Sequence, residues 1–509
     1  MSTGTADLSV TVKSTVPARI DRLPWSPFFT KMVIALGVAW VLDGLEITVA
    51  GVAAGVLSQK DTLSMSSGAV GDIATWYLLG EVVGALVFGR LSDRLGRRNL
   101  FMVTLGIYLV GSGLTAFTWS GHGSGLVFLY ATRIIAGIGI GGEYAAINSA
   151  IDEMMPAKYR GRVDIAVNGT YWAGAFLATI LQLIVLNNLS DDVAWRLCFL
   201  LGPVLGAVIL FVRRNLPESP RWLMMHGREE EAEATIGQIE RWVADSGHQL
   251  EDVPESKAIE IQPDPGVGYL ALSKVLFTQM PSRSVLGASL MITQSFLYNA
   301  IFFTYALVLT KVYGVSSGNL PYYFIAFAIG NLAGPLLLGH LFDTVGRRKM
   351  ISGTYILSGV LLVITAAMFK AGSLNATTQT ICWSVIFFFA SAGASAAYLT
   401  VSEIFPIEVR AKSIAIFFAI AQCFGSLGPH IYGRLIGDGT DHTKLFWGYM
   451  LGAAVMIVGG VIAAFLAVDA EGKSLEEVAT PLGFVRKVTE AAGMATPDGA
   501  ATPRGFAKG

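Results

Sequence analysis

The chain has 509 residues, of which 53% are hydrophobic and only 14% charged. Soluble domains carry about 25% charged residues, so this deficit excludes an ordinary soluble globule and points to helices that cross a bilayer, each needing roughly 20 mostly apolar residues. A net charge of −1 excludes the basic balance of a nucleic-acid binder, and Cys198, Cys382 and Cys423 lie in apolar runs with neither a disulfide framework nor zinc spacing.

Residues 1–30 read as a polar N-terminal tail with no signal-peptide core or cleavage site. Twelve apolar segments follow, near 31–58, 69–91, 99–119, 124–150, 163–187, 194–213, 284–311, 318–342, 349–370, 376–402, 411–437 and 443–468. The sequence therefore predicts an all-α membrane protein of twelve transmembrane helices. Six lie in an N-terminal half (31–213) and six in a C-terminal half (284–468). Residues 214–283 form the one long polar connection, and 469–509 a polar C-terminal tail. Within the connection, GREEEAEATIGQIERWV reads as an amphipathic helix, with Ile236, Ile239 and Trp242 at helical spacing. In the tail, Ser474 and Glu477 fit a capping box. Basic residues such as Arg90, Arg94, Lys158, Arg213, Lys349 and Lys412 concentrate on one side. The positive-inside rule then puts both termini and the connection in the cytoplasm of a cell whose plasma or inner membrane holds the protein.

The chain repeats itself. GRLSDRLGRRNL at 89–100 recurs as GHLFDTVGRRKM at 339–350, and IDEMMPAKYRGR at 151–162 as VSEIFPIEVRAK at 401–412. Both pairs keep one offset of 250 residues, as in Asp93 and Asp343 or Glu153 and Glu403. Parallel six-span repeats place a substrate site near the midplane, between the halves.

These motifs, with RIIAGIGIGGEY in the fourth span and PESPRWL after the sixth, resemble the major facilitator superfamily. The nearest likeness is its sugar-porter and metabolite–proton symporter branch, over roughly 30–480. The resemblance implies two ion-pair clusters that lock and release one face. One comprises Asp93, Arg97, Arg98, Glu153 and Arg160, the other Asp343, Arg347, Glu403 and Arg410. It also implies that the helices of the connection brace the two halves. The bland alternatives are a basic anchor and a surface helix.

A few ionisable groups lie within the spans. A charge at the bilayer centre costs at least about 2.5–3.5 kcal/mol on insertion scales, so each needs a cavity or a partner. Glu46 in VLDGLEITVAG lies about 16 Å into the first span, counted from Ala35, and Arg133 roughly 12 Å into the fourth, counted from Gly125. Both fall near the midplane and are expected to pair. Beside Arg133 the carboxylate is favoured; away from it, desolvation favours protonation, which is the logic of a proton switch. The resemblance agrees, because GLE aligns with the span-one acid motif of proton-coupled sugar porters. Asp43, on the same helix face, is either a second carboxylate of the relay or a structural partner. Glu143 is expected in the cytoplasmic cluster or in packing, His340 at the interface, and His430 in packing beside the Gly428-Pro429 break.

Position by position, the resemblance offers Asn168, Gln294, Asn299 and Gln422 as substrate contacts. The span-ten GPxxW of sugar porters reads GASAA here, so Ala397 replaces the Trp that stacks on a sugar. The reading is a proton-coupled symporter of a small polar metabolite, with an organic acid slightly preferred to a sugar because Arg133 could serve an anion. It is expected to act as a monomer, without metal or cofactor; no P-loop or nucleophile elbow suggests an enzyme. A uniporter, an exporter or a non-transporting nutrient receptor are the alternatives.

Overall fold

The computed structural model describes residues 12–213, 217–261, 268–405, 410–468 and 478–479. Twelve long helices account for most of them: α1 (Pro27–Leu57), α2 (Ser67–Leu95), α3 (Arg97–Thr115), α4 (Gly123–Met154), α5 (Ala157–Asn188) and α6 (Asp191–Arg213), then α7 (Pro281–Phe302), α8 (Leu320–Thr344), α9 (Arg347–Lys370), α10 (Ala376–Ile404), α11 (Arg410–Ile436) and α12 (His442–Leu466). A break at Phe303-Thr304 ends α7, which continues as Tyr305–Lys311. Among the described residues, ten helical segments are long and apolar enough to cross a membrane; α3 and α6 fill the remaining two places.

The packing repeats every six helices. In the first half α1 packs on α5, α2 on α4 and α3 on α6; in the second, α7 packs on α11, α8 on α10 and α9 on α12. Glycines set the closest of these approaches. A Cβ on Gly80 or Gly84 of α2 would run into the carbonyls of Ile134 and Ile138 on α4. One on Gly330 or Gly334 of α8 would run into those of Ser384 and Phe388 on α10. These four pairs keep the same 250-residue offset as the loop motifs. Small residues let membrane helices meet backbone to backbone, where van der Waals contact replaces the hydrophobic effect. The loop motif repeats too: Gly96 and Gly346 turn the chain between α2 and α3 and between α8 and α9 at φ of 79° and 107°. Those angles suit glycine alone among common residues.

The halves meet along α2 with α11, α5 with α8, and α1 with the continuation of α7. The first two contacts are counterparts of each other under the repeat, since α8 corresponds to α2 and α11 to α5, as a two-fold arrangement requires.

The segment before α1 is more structured than a polar tail. Val12–Ser14 pairs antiparallel with Ile259–Ile261 of the connection, and a short helix, Val16–Asp21, follows. This small ladder lies outside the helical bundle. Arg19 bonds Glu233 and Glu240 at 2.5 Å each, and Arg22 bonds Glu240 at 2.5 Å. Burial opposes ionisation of Glu240, but the hydrogen bonds from Arg19 and Arg22 outweigh it and hold the carboxyl below its ordinary range. These arginines therefore clasp the N-terminal segment to the connection.

The amphipathic helix forms at Glu229–Asp245. It buries Ala232, Ile236, Ile239 and Val243, whereas Trp242 lies at the margin and stacks on Phe28 at 5.5 Å. Nearby, Glu218 and Trp222 pack under the Gly96 turn, so the connection touches the loop that carries the first motif. The capping box at Ser474 and Glu477 lies outside the described residues.

Candidate functional site

Glu46 and Arg133 meet. Arg133 Nη1 donates to Glu46 Oε1 at 2.5 Å, and the side chains are 1% and 0% exposed, respectively. The second carboxylate oxygen accepts from the Tyr108 hydroxyl at 3.0 Å and from Ser112 at 2.9 Å. The guanidinium lies over the Tyr77 ring at 4.6 Å and the Phe199 ring at 5.2 Å. Five helices of the first half, α1, α2, α3, α4 and α6, thus enclose one ion pair. Its partners lie in that half, so the pair is a core element and not part of the surface between the halves.

That surface carries a different carboxyl. Glu81, midway along α2 and fully buried, accepts a short hydrogen bond from the Gln422 amide, midway along α11. Gln422 Oε1 accepts in turn from Ser295 at 2.5 Å and from Asn299 at 3.5 Å. Gln294 donates to the Tyr398 hydroxyl at 3.3 Å. Three of the expected contacts, Gln294, Asn299 and Gln422, therefore gather on one patch of the second half, with Glu81 opposite. Asn168 is half-buried on α5 and, among the described residues, makes no hydrogen bond to that patch. Asp43, on α1, is 4% exposed. Trp172 and Tyr298 approach across the halves at 6.2 Å. Ala397, where the resemblance offered a Trp, is fully buried.

Glu81 escaped the sequence reading because it is the one charged residue between Asp72 and Arg90, and the apolar average of the segment 69–91 conceals it. The signal was present: an ionisable group mid-span needs a partner.

The face opposite the termini is closed between α2 and α11. Arg434 donates to both oxygens of Asp72, at 3.0 and 3.1 Å, and His430 Nδ1 lies 2.7 Å from Asp72 Oδ1. His430, expected in helix-break packing, is thus a member of this cluster. Thr75 donates to the Ser426 carbonyl at 3.0 Å and Ser67 to that of Gly437 at 2.6 Å, while a Cβ on Gly71 would strike the Pro429 carbonyl. Beside α5 and α8, Asn187 of α5 donates to the Gly318 carbonyl at 3.2 Å, and Ser317 donates to Asp191 at the start of α6 at 2.8 Å.

Asp72→Asn removes the charge that holds Arg434, which is half exposed. The expected result is an increase of about fivefold in the population with this face parted, the change that ~1 kcal/mol gives. Spin labels at the exposed positions Asp61 and Thr440, in a cysteine-free background, report it as growth of a longer interlabel distance. An unchanged distance distribution would show that the glycine contacts alone hold the face shut.

On the face nearer the termini, Arg347 pairs with Glu403, and Arg410, buried, donates to the Phe405 carbonyl at 3.4 Å. Glu153 and Glu143 are half-buried and buried. The side chains of Asp93, Arg97, Arg98, Arg160 and Asp343 lie outside the described set. His340 is exposed.

The model of the sugar (and other) transporter family matches residues 33–482. The chain is 23% identical to the niacin transporter NiaP of Acinetobacter baylyi, over 91% of this chain and 99% of that one. It is 24% identical to the glucose transporter GlcP of Staphylococcus epidermidis, over 82% and 89%. Among solved structures it is similar to the proton:xylose symporter XylE from E. coli bound to 6-bromo-6-deoxy-D-glucose. The TM-score is 0.68 at 19% identity, covering 88% of this chain and 98% of that one, a likeness of fold.

Proposed function

Because the chain belongs to the sugar (and other) transporter family of the major facilitator superfamily, we propose that it carries a small polar metabolite by alternating access and couples the movement to protons through Glu46 and Arg133. The observation that carries this reading is the enclosed Glu46–Arg133 pair. A carboxylate buried at mid-membrane depth persists only with a counter-charge and satisfied oxygens, and this one has both. When the helices around it shift, the pairing changes and the proton affinity changes with it.

The basic residues favour placing both termini in the cytoplasm. The face closed by Asp72, His430 and Arg434 is then the outer one. The Arg347–Glu403 pair, with the motif residues of the first half, serves as the inner lock. Asp43 belongs to the relay or supports it.

The family does not set the cargo: the printed names of relatives range from niacin to glucose. The preference for an organic acid rested on Arg133 serving an anion. Glu46 engages Nη1 of that guanidinium and the Tyr77 and Phe199 rings lie beside it, and Ala397 offers no platform for a hexose.

Uptake by reconstituted vesicles tests the reading. A panel of sugars, organic acids and organic cations is offered with an imposed pH gradient at zero membrane potential. Accumulation above equilibrium, collapsed by a protonophore, is expected. Equilibration without accumulation would instead identify a uniporter.

A further inference from the structure

The two seams between the halves differ in chemistry at mid-depth. Where α2 meets α11 the contact is polar, from the Gln422 amide to Glu81. Beside α5 it is aromatic. Trp172, midway along α5, meets Tyr298, midway along the span Pro281–Lys311, with ring centroids 6.2 Å apart. We propose that the aromatic seam recognises the cargo, and that the cargo is a small metabolite built on a planar aromatic ring, held between Trp172 of the first half and Tyr298 of the second. This deepens the transport reading above and rests on it for the location of the site.

Both rings are fixed in place. A Cβ on Gly44 would run into the Tyr171 carbonyl and one on Gly174 into the Val41 carbonyl, so α5 touches α1 backbone to backbone on either side of Trp172. The Tyr171 ring lies 5.0 Å from the indole and nearly perpendicular to it. The Tyr298 hydroxyl donates to Asn331 Oδ1 at 2.6 Å, and its ring meets Phe387 at 4.9 Å. Asn331 is anchored in turn, its amide donating to the Phe327 carbonyl at 3.0 Å. A side chain already held in one rotamer loses little freedom when a ligand arrives.

The faces of these fixed rings are not used for stacking. Trp172 and Tyr298 are tilted by 44° to each other, and their contacts with Tyr171 and Phe387 are both at 81°, so none of the three is a stack. Because Trp172 and Tyr298 belong to different halves, the space between them widens when the halves part. A flat ring entering there can take the offset-stacked geometry that aromatic pairs prefer, against one ring from each half. Recognition would thus be shared by both halves, as alternating access requires.

The neighbouring polar groups disfavour a cargo rich in hydroxyls, because they already pair with one another. Gln422 Oε1 accepts from Ser295 and Asn299, Gln294 donates to the Tyr398 hydroxyl, and Tyr298 donates to Asn331. A sugar would have to break several of these bonds to make its own, and exchanging one hydrogen bond for another gains little. One polar substituent asks for less. Ser295, three residues from Tyr298 on the same face of α7, leads from the ring to the Gln422 amide, which can serve it.

Equilibrium binding to the full-length protein in detergent, with no gradient present, provides the test. The probes are charge-matched pairs that differ only in the ring: benzoate and cyclohexanecarboxylate, benzamide and cyclohexanecarboxamide, benzylamine and cyclohexylmethylamine. D-xylose and D-glucose are measured alongside. In at least one pair the aromatic member is expected to bind about tenfold more tightly than its saturated partner, the size of two ring contacts, and more tightly than either sugar. Trp172→Leu and Tyr298→Leu should each cut that preference by about threefold or more. Tyr298→Phe keeps the ring, loses only the bond to Asn331 and should retain the preference. A ratio between matched probes does not move when a substitution merely loosens the packing. Equal or tighter binding of the saturated member in every pair overturns the proposal. So does tighter binding of a sugar than of every aromatic probe, the absence of binding by any aromatic probe, or a folded Trp172→Leu variant that keeps the wild-type preference. Because no gradient is used, a failure here leaves proton coupling untouched, and a failure of accumulation in vesicles leaves ring recognition standing.

Discussion

Glu46→Gln is expected to end gradient-driven accumulation while downhill exchange continues. At zero membrane potential, one proton per cargo and a gradient of one pH unit support about tenfold accumulation, since one unit is ~1.36 kcal/mol. The wild-type protein should approach that ratio and the variant should stay near unity. The reason lies in the three groups around the carboxyl. Arg133 engages one oxygen, and Tyr108 with Ser112 the other. Gln keeps the shape and accepts from one side, but carries no titratable proton between the faces. Counterflow of labelled cargo, measured in the same vesicles, keeps a folding defect distinct from uncoupling. A Glu46→Gln protein that accumulates cargo as steeply as wild type would remove Glu46 from the coupling scheme.

Much of the fold was legible because membrane helices obey a strong rule: every backbone polar group must be satisfied inside the span. Apolar segments therefore map to helices within a few residues, as 376–402 maps to Ala376–Ile404 and 443–468 to His442–Leu466. The 250-residue offset, read from loop motifs, reappears inside the bundle as the glycine pairs on α2 and α8. The Glu46–Arg133 contact was legible from depth alone, since two opposite charges at one level in lipid have few other partners. Arg347 with Glu403 was legible for a related reason, as an acid matched to a base in repeated motifs.

What remained hidden was non-local. Nothing in the spacing of α2 reveals that Glu81 faces Gln422 more than three hundred positions away; the pairing exists only once the halves close. Asp72 with His430 and Arg434 is hidden in the same way. A proline beside His430 suggested a helix defect, and the helix continues through it as part of α11, which aims the imidazole at the other half. The N-terminal segment misled through composition. Its polarity matched a free tail, but Arg19 and Arg22 find acids on a helix that begins at Glu229. Trp242 shows the limit of periodicity: it keeps helical spacing with Ile239, but the buried stripe runs through Val243 and leaves the indole at the edge.

Arg133→Met is expected to destabilise the protein by about 3–5 kcal/mol, the range for removing one partner of a buried ion pair. The methionine fills the stem of the lost side chain, so the penalty comes from charge and not from a cavity. It leaves Glu46 in the core of the first half with Tyr108 and Ser112 as neutral donors and no counter-charge at its other oxygen. The rings of Tyr77 and Phe199, now facing a thioether, lose their cation as well. The double variant Glu46→Gln/Arg133→Met should recover more than half of the loss, because both charges are then gone. Residues in direct contact show such non-additivity, and its size measures the pair. Denaturant titration in mixed micelles, followed by tryptophan fluorescence, gives the energies for wild type, both single variants and the double. If Arg133→Met unfolds within about 0.5 kcal/mol of wild type, the scale of an ordinary surface substitution, the carboxyl has taken up a proton to remain buried without its partner. The proton affinity of Glu46 would then be set by its helix surroundings more than by Arg133, and the switch would have to work through Tyr108 and Ser112.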